Sequence, residues 1–392
     1  MRGGYLKLLR AIPKLRLRLP LPWGHLTVPS NYKLRNNVLV EGIAIMSGKI
    51  KWGVIGSGGI ARRRTIPEGI AKANNAELSV VFDINADVNA EVAKEFGAKA
   101  AESVDALLDS DIDAVYIATP PCFHSSQAQI CAKAGKHILC EKPLGMTVAE
   151  AEEMIEVCKQ LDVRIGCAFM MRFVSQHREA LRLIKDGRLG KPAYARAQLS
   201  SWYPPIEGAW RQDPSAGGGG ALVDMGGHCI DLLEMFFGRI CKASCFINNT
   251  VQDYKSEDSA AAMLFFENGA MATVDTFFCI PDNSSKNVLE LYGSRGSILA
   301  TGTIGQGAAG QMAAFLEGDD KAYDARQARA EARGMVIAPA PVNTYQAEIE
   351  EFSRAVMEDR EPAVGAEAGL RNQKILSACY TSVKSGKVVE VD

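Results

Sequence analysis

The sequence lacks any long apolar run. None of its stretches approaches the ~20 apolar residues that a helix needs to cross a bilayer. It also lacks an excess of either charge, because 44 basic residues face 46 acidic residues, for a net charge of −2. That balance gives no indication of a nucleic-acid partner. We therefore expect a protein that binds neither membranes nor nucleic acids.

Cysteine and metal patterns are equally sparse. None of the ten cysteines forms a Cys-x-x-Cys pair, and the nearest two, Cys241 and Cys245, fall on one predicted strand. Thiols scattered through apolar segments are typical of reduced core cysteines in a cytoplasmic protein. Asp224 and His228 are candidate metal ligands without a third at suitable spacing, so we expect no metal site.

Residues 1–45 differ from the rest of the chain, with eight basic residues, four prolines and the single acid Glu41. The basic residues interrupt each candidate apolar core of a secretory signal, and serine is too scarce for an Arg-rich transit peptide. We interpret this segment as a basic extension that is disordered or not native, with Met46 as the natural start. A functional arm is the alternative.

The length of 392 residues predicts two domains. Between Lys49 and Ala168, short apolar runs alternate with segments of helical periodicity. The predicted strands are Ile50–Ile55, Leu78–Phe82, Ala114–Ala118, His137–Cys140 and Arg164–Ala168. The predicted helices are Val88–Phe96, Gln127–Ala134 and Val148–Leu161. This alternation predicts an α/β domain over residues 46–168 with a doubly wound parallel sheet.

The turn after the first strand reads Gly56-Ser57-Gly58-Gly59-Ile60-Ala61, a G-x-G-x-x-A pattern. Gly56 permits a tight turn, Gly58 permits close approach of a pyrophosphate, and Ala61 permits close packing of the helix on the strand. The helix N-terminus then offers free N–H groups to the phosphates. In this strand–turn–helix context the pattern predicts a Rossmann dinucleotide site.

Asp83 ends the second strand, about 22 residues beyond the glycine turn. Its carboxylate is suited to the ribose hydroxyls of NAD and would repel the 2′-phosphate of NADP. Arg62, Arg63 and Arg64 could still reach a 2′-phosphate. We predict NAD as the cofactor, with NADP not excluded.

Two further strand ends carry polar residues. Thr119-Pro120-Pro121 precedes His124, and Glu141-Lys142-Pro143 follows the strand His137–Cys140. Ligands of parallel α/β sheets bind at this edge. A cofactor contact and a simple helix start remain alternatives for His124, whereas His137 is predicted to be structural.

Residues 169–392 are predicted to form an α+β domain with a large, open, mainly antiparallel sheet. The predicted strands are Ala193–Tyr203, Ala243–Val251, Ala260–Phe266, Ala270–Ile280, Val288–Tyr292 and Val388–Val391, with a hairpin at Asn268-Gly269. Helices are predicted over Ala180–Ile184, Asp224–Phe237 and Thr344–Ser385. Residues 302–340, rich in alanine and glycine, are predicted to be a mobile excursion.

Asp224 and His228 follow a run of glycines. A spacing of four on a helix predicts that the two side chains share a face and a hydrogen bond. The glycines would let a flat ligand or another backbone approach closely.

From Met46 onward the chain resembles the glucose–fructose oxidoreductase, inositol dehydrogenase and MocA (Gfo/Idh/MocA) family. The resemblance rests on the glycine turn, Ala118-Thr-Pro-Pro121 with His124, Glu141-Lys142-Pro143, Trp210-Arg211, and Gly218-Gly-Gly-Ala-Leu-x-Asp224-x-Gly-x-His228-x-x-Asp231. It implies a nicotinamide dinucleotide, a sugar, inositol or polyol substrate, and a homodimer or homotetramer formed through the open sheet.

The resemblance also implies roles. His228 would act as acid/base, which suits an imidazole with an ordinary pKa near 6.5. Lys142 would polarise the reacting oxygen, and Asp224 would bind a second hydroxyl or orient His228. The cofactor set comprises Gly56, Ser57, Gly58, Gly59, Ile60, Ala61, Asp83, Thr119, Pro120, His124, Glu141, Lys142, Arg172, Trp210 and Arg211. Asp231 would be structural.

Three functions remain open at the level of sequence. The first is a dehydrogenase or reductase that transfers a hydride between NAD(P) and a sugar or polyol. The second is an NAD-dependent glycosidase of the same superfamily, although its signature around the histidine differs. The third is a catalytically silent protein that senses the dinucleotide, which would require loss of Lys142 or His228, and both are present.

Overall fold

The computed structural model describes residues 37–40, 43–46, 48–307, 310–316 and 334–392. An N-terminal hairpin pairs β1 (Asn37–Val40) with β2 (Ile43–Met46) in antiparallel register. Most of the segment predicted to be an extension, residues 1–45, lies outside the described residues. The remainder of the structure is built on two sheets.

The first sheet has six parallel strands in the order β5-β4-β3-β6-β7-β8. Its strands are β3 (Ile50–Ile55), β4 (Ala76–Phe82), β5 (Lys99–Ala100), β6 (Ala114–Ile117), β7 (His137–Cys140) and β8 (Ile165–Cys167). The chain runs outward from β3 to β5 and then crosses back to β6. The point where strand order reverses therefore lies between β3 and β6, and the predicted doubly wound parallel sheet is confirmed.

Helices cover both faces of this sheet, because alternate strand residues enter different cores. Trp52 and Val54 join one hydrophobic cluster, whereas Ile55 joins the other. The helical segments are Ser57–Ile70, Ala86–Phe96, Val104–Leu108, His124–Lys133 and Val148–Gln160. The sequence did not predict β5 or Val104–Leu108, which are short and carry little periodicity.

The second sheet has nine strands in the order β16-β15-β14-β13-β9-β12-β11-β10-β17. They are β9 (Pro192–Ser200), β10 (Ile240–Asn248), β11 (Ser259–Phe266), β12 (Met271–Phe277), β13 (Val288–Gly293), β14 (Gly296–Thr301), β15 (Gln311–Leu316), β16 (Met335–Val336) and β17 (Val389–Glu390). Only the β9–β12 pair is parallel among these neighbours. The predicted open, mainly antiparallel sheet is thus confirmed.

The longer helices of the second half are Ser175–Lys185, Gly227–Phe237, Thr344–Met357 and Ala366–Ser385, and a short one spans Pro214–Gly217. Thr344–Met357 returns to the first sheet, where Phe352 packs on Trp52 with ring centroids 5.5 Å apart. The indole Nε1 of Trp52 also donates to the hydroxyl of Ser353 at 3.2 Å. The end of the chain therefore completes the core of the first domain.

One prediction for the second half is wrong in part. Within residues 302–340, expected to be a mobile excursion, β15 pairs with β14 and buries Met312 and Ala314. Alanine and glycine have weak strand propensity, so the segment becomes a strand through pairing rather than through its own sequence. Residues 308–309 and 317–333 of the excursion lie outside the described residues.

Candidate functional site

A cavity of about 500 Å³ lies at the carboxyl edge of the first sheet, between that sheet and the second. We call it the cleft. From the first half of the chain it is lined by Ile60, Arg63, Ala118, Thr119, Glu141 and Lys142. From the second half it is lined by residues that include Tyr203, Trp210, Arg211, Asp224, His228 and Tyr345. The structure thus brings together most of the residues predicted from the strand ends and the glycine-rich segment.

The glycine turn fits a dinucleotide, but open space lies at Gly59 and not at Gly58, where it was predicted. Gly56 has φ of 82°, and a Cβ there would lie 2.8 Å from the carbonyl carbon of Ala118. A Cβ on Gly58 would lie 2.6 Å from Cγ1 of Val88. Gly59 faces open space, with nothing within 4 Å of the place of a Cβ. The approach to the backbone is therefore free at Gly59, while Gly56 and Gly58 allow close internal packing.

Asp83 stands at the end of β4 beside this turn. Its Oδ2 accepts a hydrogen bond from the N–H of Gly58 at 2.8 Å, and its Oδ1 accepts one from the N–H of Asn85 at 3.0 Å. A carboxylate oxygen has more than one lone pair, so each can still accept from a ribose hydroxyl. The geometry is compatible with the predicted role.

The three arginines after the turn differ in their surroundings. Arg62 pairs with Glu91 and Glu95, and Arg64 pairs with Glu68. Arg63 is exposed and lines the cleft. Of the three, Arg63 is the one placed to meet a bound anion.

Glu141 lines the cleft and is held by Tyr116, whose hydroxyl donates to its Oε1. The hydroxyl of Thr65 donates in turn to the oxygen of Tyr116 at 2.9 Å. Burial raises the pKa of Glu141, against the opposing effects of Tyr116 and Lys142. Glu141 is thus a buried carboxyl group held in place beside Lys142, whose backbone N–H donates to its Oε2 at 3.3 Å.

Lys142 crosses the cleft to Asp224. Its Nζ donates to the carboxylate Oδ1 and to the backbone oxygen of Asp224, both at 2.7 Å. The ion pair is largely shielded, with the Lys142 side chain 9% exposed. One hydrogen of the ammonium group remains to be donated to a third oxygen.

Asp224 also receives Arg211, whose Nε lies 3.1 Å from Oδ1. Burial acts to raise the pKa of Asp224, but Arg211 and Lys142 outweigh it and hold that pKa well below its usual range. Arg211 in turn lies 4.1 Å above the ring of Trp210. Trp210 and Arg211, both in the predicted cofactor set, thus line the cleft, and Arg211 lies beside Asp224.

His228 is placed in the cleft but not as expected from its spacing. It forms no hydrogen bond with Asp224, and its buried Nδ1 has no partner. The segment Leu222–Gly226 winds with wide turns, so residues four apart are not aligned as they are in a regular α-helix. Burial and the charge of Lys142 lower the pKa of His228 to about 3, while Asp224 acts to raise it. Phe169 packs edge-on against the ring.

Nine residues of the predicted cofactor set do not line the cleft, namely Gly56, Ser57, Gly58, Gly59, Ala61, Asp83, Pro120, His124 and Arg172. Arg172 donates from Nε and Nη2 to the buried carboxylate of Asp231, at 2.6 to 3.0 Å. That pair matches the structural role predicted for Asp231. His124 is fully buried, with its ring nitrogens facing the backbone oxygens of Thr119 and Pro143.

The structure adds cleft residues that the sequence did not indicate. They come from strand ends and loops of the second sheet and from the helix Thr344–Met357, and include Ser201, Asp282, Asn287, Gln306 and Tyr345. No motif marks them, because their approach to the first sheet depends on how the two sheets pack.

Among the described residues, no group of three or more His, Cys, Asp or Glu side chains could hold a metal ion. Within the same residues, no helix is long and apolar enough to cross a membrane.

Comparison with known proteins is consistent with this geometry. The family model described as "Oxidoreductase family, NAD-binding Rossmann fold" matches residues 50–169. The model described as "GFO/IDH/MocA C-terminal domain" matches residues 177–299. The two matches divide the chain between the two sheets.

Similar proteins include the 1,5-anhydro-D-fructose reductase of Ensifer adhaerens, 28% identical over 87% of this chain and 98% of that protein. Oxidoreductase P35 of Formosa agariphila is 30% identical over 64% of this chain and 79% of its own length. The solved structure of levoglucosan dehydrogenase in complex with NADH has a TM-score of 0.77 at 23% identity, over 88% and 99% of the two chains. The chain belongs to the Gfo/Idh/MocA family of NAD(P)-dependent oxidoreductases, with an NAD-binding Rossmann domain at its N-terminal side.

Proposed function

We propose that this protein transfers a hydride between a nicotinamide dinucleotide and a secondary alcohol or ketone of a sugar, inositol or related polyol. The observation that carries the proposal is the convergence of Lys142, Arg211, Asp224 and His228 in one cleft beside the glycine turn. The dinucleotide donates or accepts the hydride when bound. The side chains of the cleft then transfer the hydroxyl proton and stabilise the charge on the reacting oxygen.

Lys142 is proposed to hold the reacting oxygen. Its ammonium group is fixed by two hydrogen bonds to Asp224 and retains one hydrogen for a ligand. A fixed cation in a shielded cleft stabilises an alkoxide in oxidation and polarises a carbonyl in reduction. Because the donor is already oriented, little reorganisation accompanies the reaction.

His228 is proposed to accept the hydroxyl proton in oxidation and to return it in reduction. With a pKa of about 3 in the free protein, its ring is neutral at working pH and able to accept. A ring of such low pKa is a weak base by itself. An oxygen that develops negative charge against Lys142 would offset the lysine charge and raise the pKa of His228. Asp224, which already acts in that direction, would stabilise the imidazolium.

NAD is the proposed physiological cofactor. Asp83 ends β4 beside the glycine turn, so its carboxylate could accept from the ribose hydroxyls and its charge would repel a 2′-phosphate. Arg62 and Arg64, which could otherwise attract that phosphate, are engaged by glutamates. These contacts support the preference.

The substrate class follows from the polar lining of the cleft. Ser201, Asp282, Asn287 and Gln306 line it from the second half of the chain. Hydroxyl, amide and carboxylate groups in the lining suit a ligand with several hydroxyl groups. The proposed partner is therefore a small sugar or polyol.

A screen of sugars and inositols with NAD and NADP, monitored by the absorbance of reduced nicotinamide, tests the proposal. Turnover with stoichiometric nicotinamide reduction or oxidation supports a dehydrogenase. A glycosidase would release an aglycone without net change in nicotinamide, and a silent sensor would bind dinucleotide without turnover. Either result would contradict the proposed hydride transfer and favour the corresponding alternative function.

We also propose that the protein is a cytoplasmic homo-oligomer assembled through the second sheet. All ten cysteines are free thiols, in keeping with a reducing compartment. The outer face of the sheet exposes Phe246, Met263, Phe265 and Met271. Clustered exposed apolar side chains of this size are typical of an interface.

A further inference from the structure

His124 is a buried histidine whose two ring nitrogens both face backbone carbonyl oxygens. Nδ1 lies 2.8 Å from the oxygen of Pro143, and Nε2 lies 2.9 Å from the oxygen of Thr119. The side chain is fully shielded from solvent. His124 thus cannot touch a ligand in the cleft, but it touches two segments that form its edge.

The chemistry of these contacts is constrained. A carbonyl oxygen only accepts hydrogen bonds, so each contact is a hydrogen bond only when the facing nitrogen carries a hydrogen. Burial lowers the pKa of His124, the two carbonyl groups raise it, and the charge of Lys142 lowers it. The neutral ring donates one of the two hydrogen bonds, and the imidazolium donates both. In either form the ring lies between the backbone oxygens of Pro143 and Thr119.

The two carbonyl groups belong to different strand ends. Thr119 lies after β6 and lines the cleft, whereas Pro143 lies after β7 and directly follows Lys142. An imidazole is rigid, with a fixed distance between its nitrogens. A ring that contacts both carbonyl groups therefore fixes the spacing between the edge of the dinucleotide site and the segment that carries Lys142.

We propose that His124 is a positioning residue that sets Lys142 relative to the dinucleotide side of the cleft, through its contacts with Pro143 and Thr119. The part that concerns Lys142 rests on the proposed function. The part that concerns the dinucleotide does not.

Two substitutions separate the two contacts. The side-chain amide nitrogen of His124→Asn reaches the place of Nδ1 and retains the contact with Pro143. That of His124→Gln reaches the place of Nε2 and retains the contact with Thr119. Loss of one buried hydrogen bond corresponds to a change of about tenfold.

The expected result is a split between the variants. If the neutral ring donates from Nδ1 to Pro143, His124→Gln should lower kcat about tenfold and leave the Kd for NAD within about twofold of the parent value, and His124→Asn should change neither quantity by more than about twofold. If it donates from Nε2 to Thr119, His124→Asn should weaken NAD binding about tenfold and leave kcat at saturating NAD within about twofold, and His124→Gln should change neither. A residue that only fills space would instead change both quantities alike in both variants, in proportion to the fall in Tm, and that outcome overturns the proposal.

His137 provides the matched control. It lies at the start of β7, at the opposite edge of the sheet, where its Nδ1 accepts from the N–H of Arg164 at 3.1 Å. His137→Asn and His137→Gln remove an imidazole from the same domain, at a residue that does not line the cleft. They should show no split between kcat and Kd, and a split of equal size there also contradicts the proposal.

NMR of the histidine rings in the unsubstituted protein gives a readout that does not depend on activity. The chain has five histidines, and His124 is assigned by its loss in one variant or by its contacts. A slowly exchanging ring N–H in one tautomer, or in the imidazolium, is expected. Rapid averaging between tautomers overturns the proposal.

If Lys142→Ala retains turnover while His124→Asn still weakens NAD binding, the proposed function of Lys142 fails and the dinucleotide part of the inference stands.

Discussion

At the residue scale, Asp224 organises the charges of the cleft. It accepts from Lys142 and pairs with Arg211, and together these cations keep its carboxylate ionised in spite of burial. Two cations around one anion leave a local excess of positive charge. That excess of positive charge, together with burial, lowers the pKa of His228. It would also stabilise an oxyanion beside Lys142.

The roles that we propose for Lys142 and His228 can be tested separately from cofactor binding. If Lys142 donates to the reacting oxygen, Lys142→Ala should lower kcat on the order of 10²-fold. If His228 accepts the proton, His228→Ala should lower kcat by roughly 10²–10⁴-fold. Steady-state turnover on the identified substrate, beside NAD affinity by titration, measures both effects.

Both variants should bind NAD nearly as well as the parent, because neither substitution changes the glycine turn or Asp83. If either variant keeps turnover close to that of the parent, the residue does not have the role proposed. If both lose NAD affinity, the two residues maintain the architecture of the cleft instead.

Asp83 determines the cofactor preference in our proposal. Asp83→Ala removes the charge that repels a 2′-phosphate, so the ratio of kcat/KM for NAD to that for NADP should fall about tenfold or more. The variant also loses the acceptor for the N–H of Gly58, which should cost some affinity for both cofactors. A protein that prefers NADP by a wide margin before any substitution would contradict the assignment and favour Arg63.

Sequence spacing predicted which residues meet in the cleft better than it predicted their contacts. The strand-end position of Lys142 and the glycine-rich approach to Asp224 were enough to indicate proximity. The predicted hydrogen bond between Asp224 and His228 was wrong because the backbone between them winds with wide turns. The pairing of Asp224 with Lys142 across 82 residues depends on how the two halves pack, which no local pattern encodes.

At the element scale, the helix Thr344–Met357 carries a carboxyl group into the protein interior. Glu348 is 3% exposed, and its Oε1 has no hydrogen-bond partner. Burial raises its pKa well above the usual range, with the nearby charge of Glu141 acting in the same direction. Such a group is neutral in the folded protein at pH values where it is ionised in the unfolded chain.

The pH dependence of stability follows from that difference. Because the folded state binds the proton of Glu348 more tightly, its contribution favours folding at low pH and declines as pH rises above the unfolded pKa of about 4.3. Glu348→Gln removes this decline and should raise the free energy of unfolding at pH 7.5 by about 1–3 kcal/mol, with a smaller gain at pH 4.

Urea unfolding at the two pH values measures the effect, and the exposed Glu102 provides a control through Glu102→Gln. The control should change stability little at either pH. A loss of stability in Glu348→Gln at pH 7.5 would mean that the carboxylate is ionised and has a partner in the folded protein.

Other elements show where local sequence is informative. The strands β3, β6 and β7 were predicted almost to the residue, because fully buried parallel strands are continuous apolar runs between turns. β15 was not predicted, since its alanines acquire strand structure from pairing with β14. Thr344–Ser385 was predicted as one helical region and forms two helices, with Pro362 in the break.

At the scale of the whole molecule, the second sheet has two unlike faces. Alternate residues of β11 are buried against the helices, and the intervening ones point outward. The register aligns Met263 with Ser244 and Phe265 with Met271 on that outer face, and Met271 with Tyr194 on the next strand. The result is an apolar patch across several strands, with the ion pair of Arg196 and Asp275 in its midst.

A second copy of the chain is the occupant we propose for this patch. Two copies related by a twofold axis present the same surface to each other, so each apolar side chain can be buried at once. Phe246→Glu combined with Met263→Glu places four carboxylates in the dimer interface. The variant should therefore sediment as a folded monomer at concentrations where the parent is a dimer or tetramer.

The exposed Leu161, which follows the helix Val148–Gln160 far from the patch in sequence and fold, provides the matched control. Leu161→Glu adds the same kind of charge at an exposed apolar position and should leave the oligomeric state unchanged. Analytical ultracentrifugation of the parent and both variants, with circular dichroism to verify folding, decides the matter. A parent that is monomeric at all concentrations, or a double variant that assembles as the parent does, would assign the contact to another surface. Because the exposed apolar residues Phe246, Met263, Phe265 and Met271 do not line the cleft, a folded monomer should retain the NAD affinity of the parent.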